Sequence, residues 1–223
     1  MKEKFAFTLA EVLITLGIIG VVAAITIPSL ITSYNKKITE TRLAKFYSVF
    51  NQAIRLSVAE NGDVDTWDDY WSASLSSTEE GHETVVEGAF ETYLKPYMQI
   101  AYQKKIYYKG LNQTLYFLPD GSAFAYRHWD TRDITFFPKD AEKCIKMNKK
   151  VGTCSFMFIF HPISESQDWK YHYNKGLEPY LYNWNGQESQ LKSSCAGGGY
   201  YCTALIKNNG WEIPKDYPLK LQY

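Results

Sequence analysis

The hydrophobic pattern of the chain changes near residue 31. Residues 7–31 are almost continuously apolar, and Glu11 is the only charged side chain between Phe5 and Asn35. A helix needs about 20 apolar residues to cross the hydrocarbon core of a bilayer. This run therefore predicts a membrane-spanning helix that carries a single acid close to its start, where an unpaired carboxylate is costly and indicates a functional site.

Beyond residue 31 the same helix is predicted to continue as an amphipathic one up to Glu60. Pro28 lacks a backbone donor and should bend the helix without ending it. Asn61-Gly62 provides the stop signal. The apolar stripe needs a partner, for which a sheet in the following domain is the natural candidate. Its members recur at three- and four-residue steps: Leu43, Phe46, Tyr47, Phe50, Ala53, Ile54 and Ser57.

The remainder of the chain predicts one further helix and then strands. Residues 84–98 show a helical apolar face, and residues 114–118 and 122–126 flank the turn signal Pro119-Asp120-Gly121. Residues 155–160 give the strongest strand signal. We expect an exposed loop over residues 63–82, irregular structure over residues 164–199, and a short element within residues 201–213. The predicted fold class is α+β.

Charge and cysteine content limit the possible functions. The chain has 24 basic and 24 acidic residues, a balance that argues against a nucleic-acid binder. In an exported domain, an even number of cysteines indicates disulfides, although three pairings are possible. We favour the local pairs Cys144–Cys154 and Cys195–Cys202 over the alternative of reduced structural thiols. The spacing of a structural zinc site is absent.

The sequence contains no recognisable catalytic motif. His82, His128, His161 and His172 are scattered, and no metalloprotease, serine-hydrolase or phosphate-loop pattern occurs. Cys195 precedes Ala196 and three glycines, a pattern that is simpler to interpret as a flexible disulfide loop than as a nucleophile. We therefore expect no enzymatic activity, no cofactor and no metal site.

The stretch from Ala6 to Glu11, Ala-Phe-Thr-Leu-Ala-Glu, resembles the processing signal of type IV pilins and type II secretion pseudopilins. The resemblance implies that a prepilin peptidase cuts between Ala6 and Phe7 and N-methylates Phe7. It also implies that Glu11 pairs with the N-terminal amine of a neighbouring subunit during filament assembly. Pro28 matches a proline that helices of this family often carry.

The resemblance further implies an organisation, a location and partners. Residues 1–6 would be a leader, residues 7–60 a long helix whose part 7–31 spans the membrane, and residues 61–223 an exported α+β domain with disulfide-bounded loops. The pilin-like layout packs the helix on a C-terminal antiparallel sheet. The subunit would be stored in the inner membrane in contact with lipid, and it would assemble with pilin-like subunits, an assembly platform and its ATPase. Nucleic acid is not an expected partner.

Two processing alternatives and two functional alternatives remain open on the residues alone. An ordinary signal peptide would be cut after Ala24 and would leave Ile25 as the first residue. An uncut signal anchor would retain Met1. The exported domain could also be a membrane-anchored module that binds glycans through its aromatic loops, or one that captures DNA. The sequence does not separate a pilus from a secretion pseudopilus.

Overall fold

The computed structural model describes residues 8–67, 82–108, 110–126, 132–161, 171–172 and 175–223. The chain divides into two compact units, one ending at Lys37 and the other spanning Ile38–Tyr223. Helices and one antiparallel sheet confirm the predicted α+β class. The helices are α1 (Leu9–Asn61), α2 (His82–Tyr93), α3 (Ala141–Met147), α4 (Glu188–Gly197) and α5 (Cys202–Asn208).

Helix α1 contributes to both units, and its two parts bury very different fractions of their side chains. Apolar residues are exposed from Leu9 to Ile31, whereas the part in the second unit buries Leu43, Phe46, Phe50, Ala53, Ile54 and Ser57. The helix ends at Asn61, and Gly62 follows with a φ of +83°. The stop signal and the buried stripe are thus confirmed, because both arise from the local residue pattern.

In the described residues the sheet has six strands, in spatial order β1 to β6, and each strand is antiparallel to its neighbours. The predicted hairpin joins β2 to β3, and Leu115 lies opposite Ala125. Gly121 adopts a φ of +79° in its turn, and the Asp120 carboxylate accepts a hydrogen bond from the Ser122 amide at 3.0 Å. The strands are β1 (Tyr102–Tyr108), β2 (Leu111–Phe117), β3 (Ala123–Tyr126), β4 (Asp133–Phe137), β5 (Phe156–Ile159) and β6 (Glu178–Pro179).

Phenylalanine rings join the second part of α1 to the sheet. The Phe46 ring stacks on Phe136 of β4 with centroids 4.3 Å apart, and it contacts Phe124 of β3 and Phe158 of β5 at 5.3 Å each. Phe50 meets Phe124 edge-on. These rings are buried, so the apolar stripe of the helix rests on one face of the sheet, as predicted.

The second predicted helix is confirmed with an earlier end. It was expected over residues 84–98 but stops at Tyr93, and a short 3-10 turn follows over Lys95–Tyr97. Pro96 lies within that turn, where it cannot supply the amide that would continue an α-helix. Ala89 and Phe90 are buried, and Phe90 packs on Tyr116 of β2 with ring centroids 4.4 Å apart.

Two loop predictions need correction. Residues 164–199 were expected to be irregular, but they include β6 and helix α4, which buries Leu191 and Cys195 one turn apart. The loop over residues 63–82 was expected to be exposed, yet Trp67 is fully buried and stacks on Tyr93 with centroids 4.8 Å apart. Residues 68–81, 162–170 and 173–174 lie outside the described part of the chain. Helix α3 was not predicted.

The disulfides join Cys144 to Cys154 and Cys195 to Cys202, the two pairs that the sequence favoured. The first links α3 to the segment before β5, and the second links α4 to α5. The segment from Cys195 to Gly197 is helical, so the expectation of a flexible loop there was wrong.

The two disulfide-bounded segments pack closely against each other at Gly199 and Val151. Gly199 has a φ of +83°, and a Cβ at this position would lie 1.8 Å from the Val151 carbonyl oxygen. The Lys150 ammonium also donates a hydrogen bond to the Ala196 carbonyl. Only glycine fits at position 199, because a side chain would strain the backbone and overlap Val151.

Candidate assembly segment

Glu11 and Thr8 form a reciprocal cap at the start of α1. The Glu11 Oε2 atom accepts hydrogen bonds from the Thr8 amide and the Thr8 hydroxyl, each at 2.8 Å. The Glu11 amide donates to Thr8 Oγ1 at 3.3 Å. This is a capping box, which satisfies backbone donors that the first helical turn would otherwise leave unpaired. The Thr-x-x-Glu spacing could have been recognised in the sequence, but the prediction overlooked it.

The capping box leaves part of the carboxylate available. Both bonds that the Glu11 side chain accepts go to Oε2, and Oε1 accepts none from the residues that the structure describes. A carboxylate can accept about four hydrogen bonds through its two oxygens. Glu11 can therefore keep its local contacts and still bind a cation or an amine through Oε1. Ala6 and Phe7, the predicted processing residues, lie outside the described part of the chain.

Three other threonine side chains of this segment are satisfied within the helix. Thr15 donates to the Val12 carbonyl, Thr26 to the Val22 carbonyl, and Thr32 to the Pro28 carbonyl, each at 2.9 Å. Such back-bonding removes the cost of placing a hydroxyl in an apolar medium. Glu11 therefore remains the one charged group on this stretch of helix.

The surface around Glu11 is apolar and exposed. Among the described residues, α1 is the helix that is long and apolar enough to cross a bilayer, and none of its most apolar stretch is buried. This is typical of a single-pass membrane protein or a signal anchor. Pro28 lies inside α1 and does not end it, as predicted. The exposed aliphatic side chains are Leu9, Val12, Leu13, Ile14, Leu16, Ile18, Ile19, Val21, Val22, Ile25, Ile27, Leu30 and Ile31.

The second unit holds a pair of buried histidines, which the sequence had shown as scattered. His161 and His172 are 6% and 1% exposed, and they interact electrostatically. The pKa of His172 is lowered to about 4, mainly by burial and to a lesser extent by charges on His161 and Lys175. No group of three or more potential metal ligands occurs among the described residues. His128 lies outside that part of the chain.

Acid is expected to destabilise this unit through His172. Its ordinary pKa of 6.5 falls to about 4 on folding, so between these values the unfolded chain binds a proton that the folded chain does not. The contribution of His172 to the free energy of unfolding should be constant above this window. It should fall as the pH drops through the window, by about 3 kcal/mol in total. Urea unfolding of the full-length protein across the window measures this loss. His172→Gln should flatten the pH profile, and a variant with the wild-type slope would contradict the assignment.

One protein family, described as a family of unknown function (DUF6613), matches residues 29–221 of the chain. The match covers the part of α1 that packs on the sheet, and the whole of the sheet and both disulfides. It begins after Pro28 and leaves out Glu11. No curated protein and no solved structure matches the chain significantly.

Proposed function

The chain belongs to the family of unknown function DUF6613, and we propose that it is a structural subunit of a pilus-like filament. In this proposal the subunit is a minor pilin or a pseudopilin that waits in the inner membrane. A prepilin peptidase cuts between Ala6 and Phe7 and methylates the new N-terminus. An assembly platform with its ATPase then adds the subunit to a type IV pilus or a type II secretion pseudopilus.

The observation that carries this proposal is a lone carboxylate on an exposed apolar helix. A glutamate that only caps a helix is usually found where the helix starts in water, because the carboxylate then keeps its hydration and no desolvation cost arises. Glu11 instead begins a run of aliphatic side chains that suits lipid or the core of a helical filament. In either setting a free Oε1 favours a cationic partner, and the Phe7 amine created by processing is a suitable one.

The layout of the second unit agrees with a pilin-like subunit. The continuation of α1 packs on an antiparallel sheet, and two disulfides close segments near the C-terminal end of the chain. Such a domain can be exported and exposed, since disulfides persist outside the reducing cytoplasm. These features support a pilin-like architecture. The more specific proposal of cleavage, methylation and filament assembly comes from the resemblance of residues 6–11 to the processing signal.

The mature N-terminus tests the proposal directly. We expect mass spectrometry of the protein purified from its native host to identify an N-terminal peptide that begins with N-methylated Phe7. An Ala6→Leu variant, with a bulky residue at the small-residue position, should retain its leader. An N-terminus at Ile25 would instead show an ordinary signal peptide, and one at Met1 an uncut anchor. Either result would contradict the filament proposal.

A further inference from the structure

An uncharged loop rich in aromatic residues connects β6 to α4. Residues 180–187 read Tyr-Leu-Tyr-Asn-Trp-Asn-Gly-Gln, with three aromatic and three amide side chains and no charged one. We call this segment the aromatic loop. It lies wholly within the second unit, and the proposed role of Glu11 in assembly makes no use of it.

The aromatic loop is fixed by its own hydrogen bonds. The Trp184 indole N–H donates to the Gln187 carbonyl at 3.0 Å, and the Gln187 amide donates to Asn185 Oδ1 at 2.9 Å. The Asn185 amide donates to Gln190 Oε1 at 2.7 Å. The loop is therefore already ordered before a ligand binds, and the entropic cost of ordering it on binding is small.

The inner side of the aromatic loop rests on the second disulfide. Leu181 and Trp184 pack against the buried cluster that contains Leu191, Cys195 and Cys202. The Tyr201 hydroxyl donates a hydrogen bond to the Tyr182 carbonyl. The rings are thus held by a cross-linked support, which a recognition surface on a loop requires.

The outer side of the loop presents rings and amides together. Tyr182 is 37% exposed, and the half-buried Trp184 ring lies 4.8 Å from the Tyr171 ring at an angle of 52°. Asn183 and Asn185 are exposed beside them. The exposed Asn183 side chain makes no hydrogen bond with any residue that the structure describes, so its amide can bond to a ligand.

This combination matches a neutral sugar better than other ligands. The faces of aromatic rings carry partial negative charge and attract the C–H groups on the apolar face of a pyranose ring. Amide side chains offer donors and acceptors to the hydroxyl groups around that ring. Single-stranded nucleic acid would instead need a cationic groove beside the stacking rings, and the loop contains no basic residue. We propose that the aromatic loop binds neutral oligosaccharides, with Tyr182 and Trp184 as stacking platforms and Asn183 as a hydrogen-bonding group.

Calorimetric titration of the full-length protein tests the proposal. The protein is kept in a detergent without a sugar headgroup, and cellohexaose and the hexamer of N-acetylglucosamine serve as probes. We expect saturable binding of at least one probe. Trp184→Ala and Tyr182→Ala should each weaken it about tenfold, since an aromatic contact contributes up to about one factor of ten. Tyr107→Ala removes a tyrosine ring from β1 that is more exposed than Tyr182, and this variant should bind like the wild type.

Tyr182→Ala is the decisive variant if Trp184→Ala unfolds the loop, because the Tyr182 ring lies at the surface. Circular dichroism and a count of free thiols establish that each variant retains its fold and both disulfides. The proposal is overturned if neither probe binds, or if folded Tyr182→Ala binds with wild-type affinity. Equal weakening in Tyr107→Ala would also overturn it, as would saturable binding of single-stranded DNA that depends on Tyr182.

Discussion

Replacing Phe46 with alanine is expected to lower the free energy of unfolding by about 3–5 kcal/mol. Phe46 is 1% exposed and contacts the rings of Phe50, Phe124, Phe136 and Phe158. Its removal would leave a cavity where α1 meets three strands, and those strands are fixed by their ladders and cannot close the gap. Urea unfolding of the full-length protein, followed by near-ultraviolet circular dichroism, measures the loss.

Leu56→Ala is the matched control for this experiment. Leu56 belongs to the same helix and also loses an apolar side chain, although a smaller one, but the residue is 45% exposed. Its truncation should cost about 0.5 kcal/mol or less, since surface substitutions rarely cost more. Equal losses for the two variants would show that the stripe on α1 is not the main contact between helix and sheet.

Replacing Glu11 with glutamine or alanine is expected to abolish most filament assembly while leaving processing intact. In the proposed filament, the variant side chain would not neutralise the Phe7 amine of the adjacent subunit, which would then remain charged inside an apolar core. We expect filament yield to fall roughly tenfold or more, as judged from sheared surface fractions of the native host. Total protein and the methylated N-terminus should stay at wild-type levels.

The capping box requires a second variant, because Glu11 also stabilises the start of its own helix. Thr8→Ala removes the hydroxyl from the cap but keeps the carboxylate. It should weaken the helix start by about 1 kcal/mol and leave assembly largely intact. If Thr8→Ala reduced filaments as strongly as Glu11→Gln, local capping would explain the effect, and the pairing of Glu11 with an amine would have to be rejected.

The sequence predicted those features that depend mainly on residues close together in the chain. The hairpin turn at Gly121 and the helix end before Gly62 follow from glycines that adopt a positive φ. The stripe that includes Phe46 and Phe50 follows from helical periodicity. Glu11 was found because a single charge within an apolar run is conspicuous. Its local partner Thr8 carried an equally readable signal and was overlooked.

Features that depend on distant residues could not be found in this way. Helix α4 has only Leu191 and Cys195 as buried residues, too few to give a periodic pattern, and its disulfide to Cys202 helps to hold it. Trp67 is buried because Tyr93 stacks on it, although its neighbours in sequence are polar. The pairing of His161 with His172 likewise arises only when the chain folds.

The amino-acid sequence by itself determined the apolar helix, its lone acid and the α+β class, since each follows from residue types at fixed spacing. Tertiary structure alone decided how the ends of the second unit are joined. There the buried Glu40 carboxylate accepts a hydrogen bond from the Ile213 amide at 2.8 Å, and the Tyr223 hydroxyl meets the Thr39 hydroxyl. Residues about 180 positions apart in the chain produce no local sequence pattern that would predict their contact. Only folding brings them within hydrogen-bond distance.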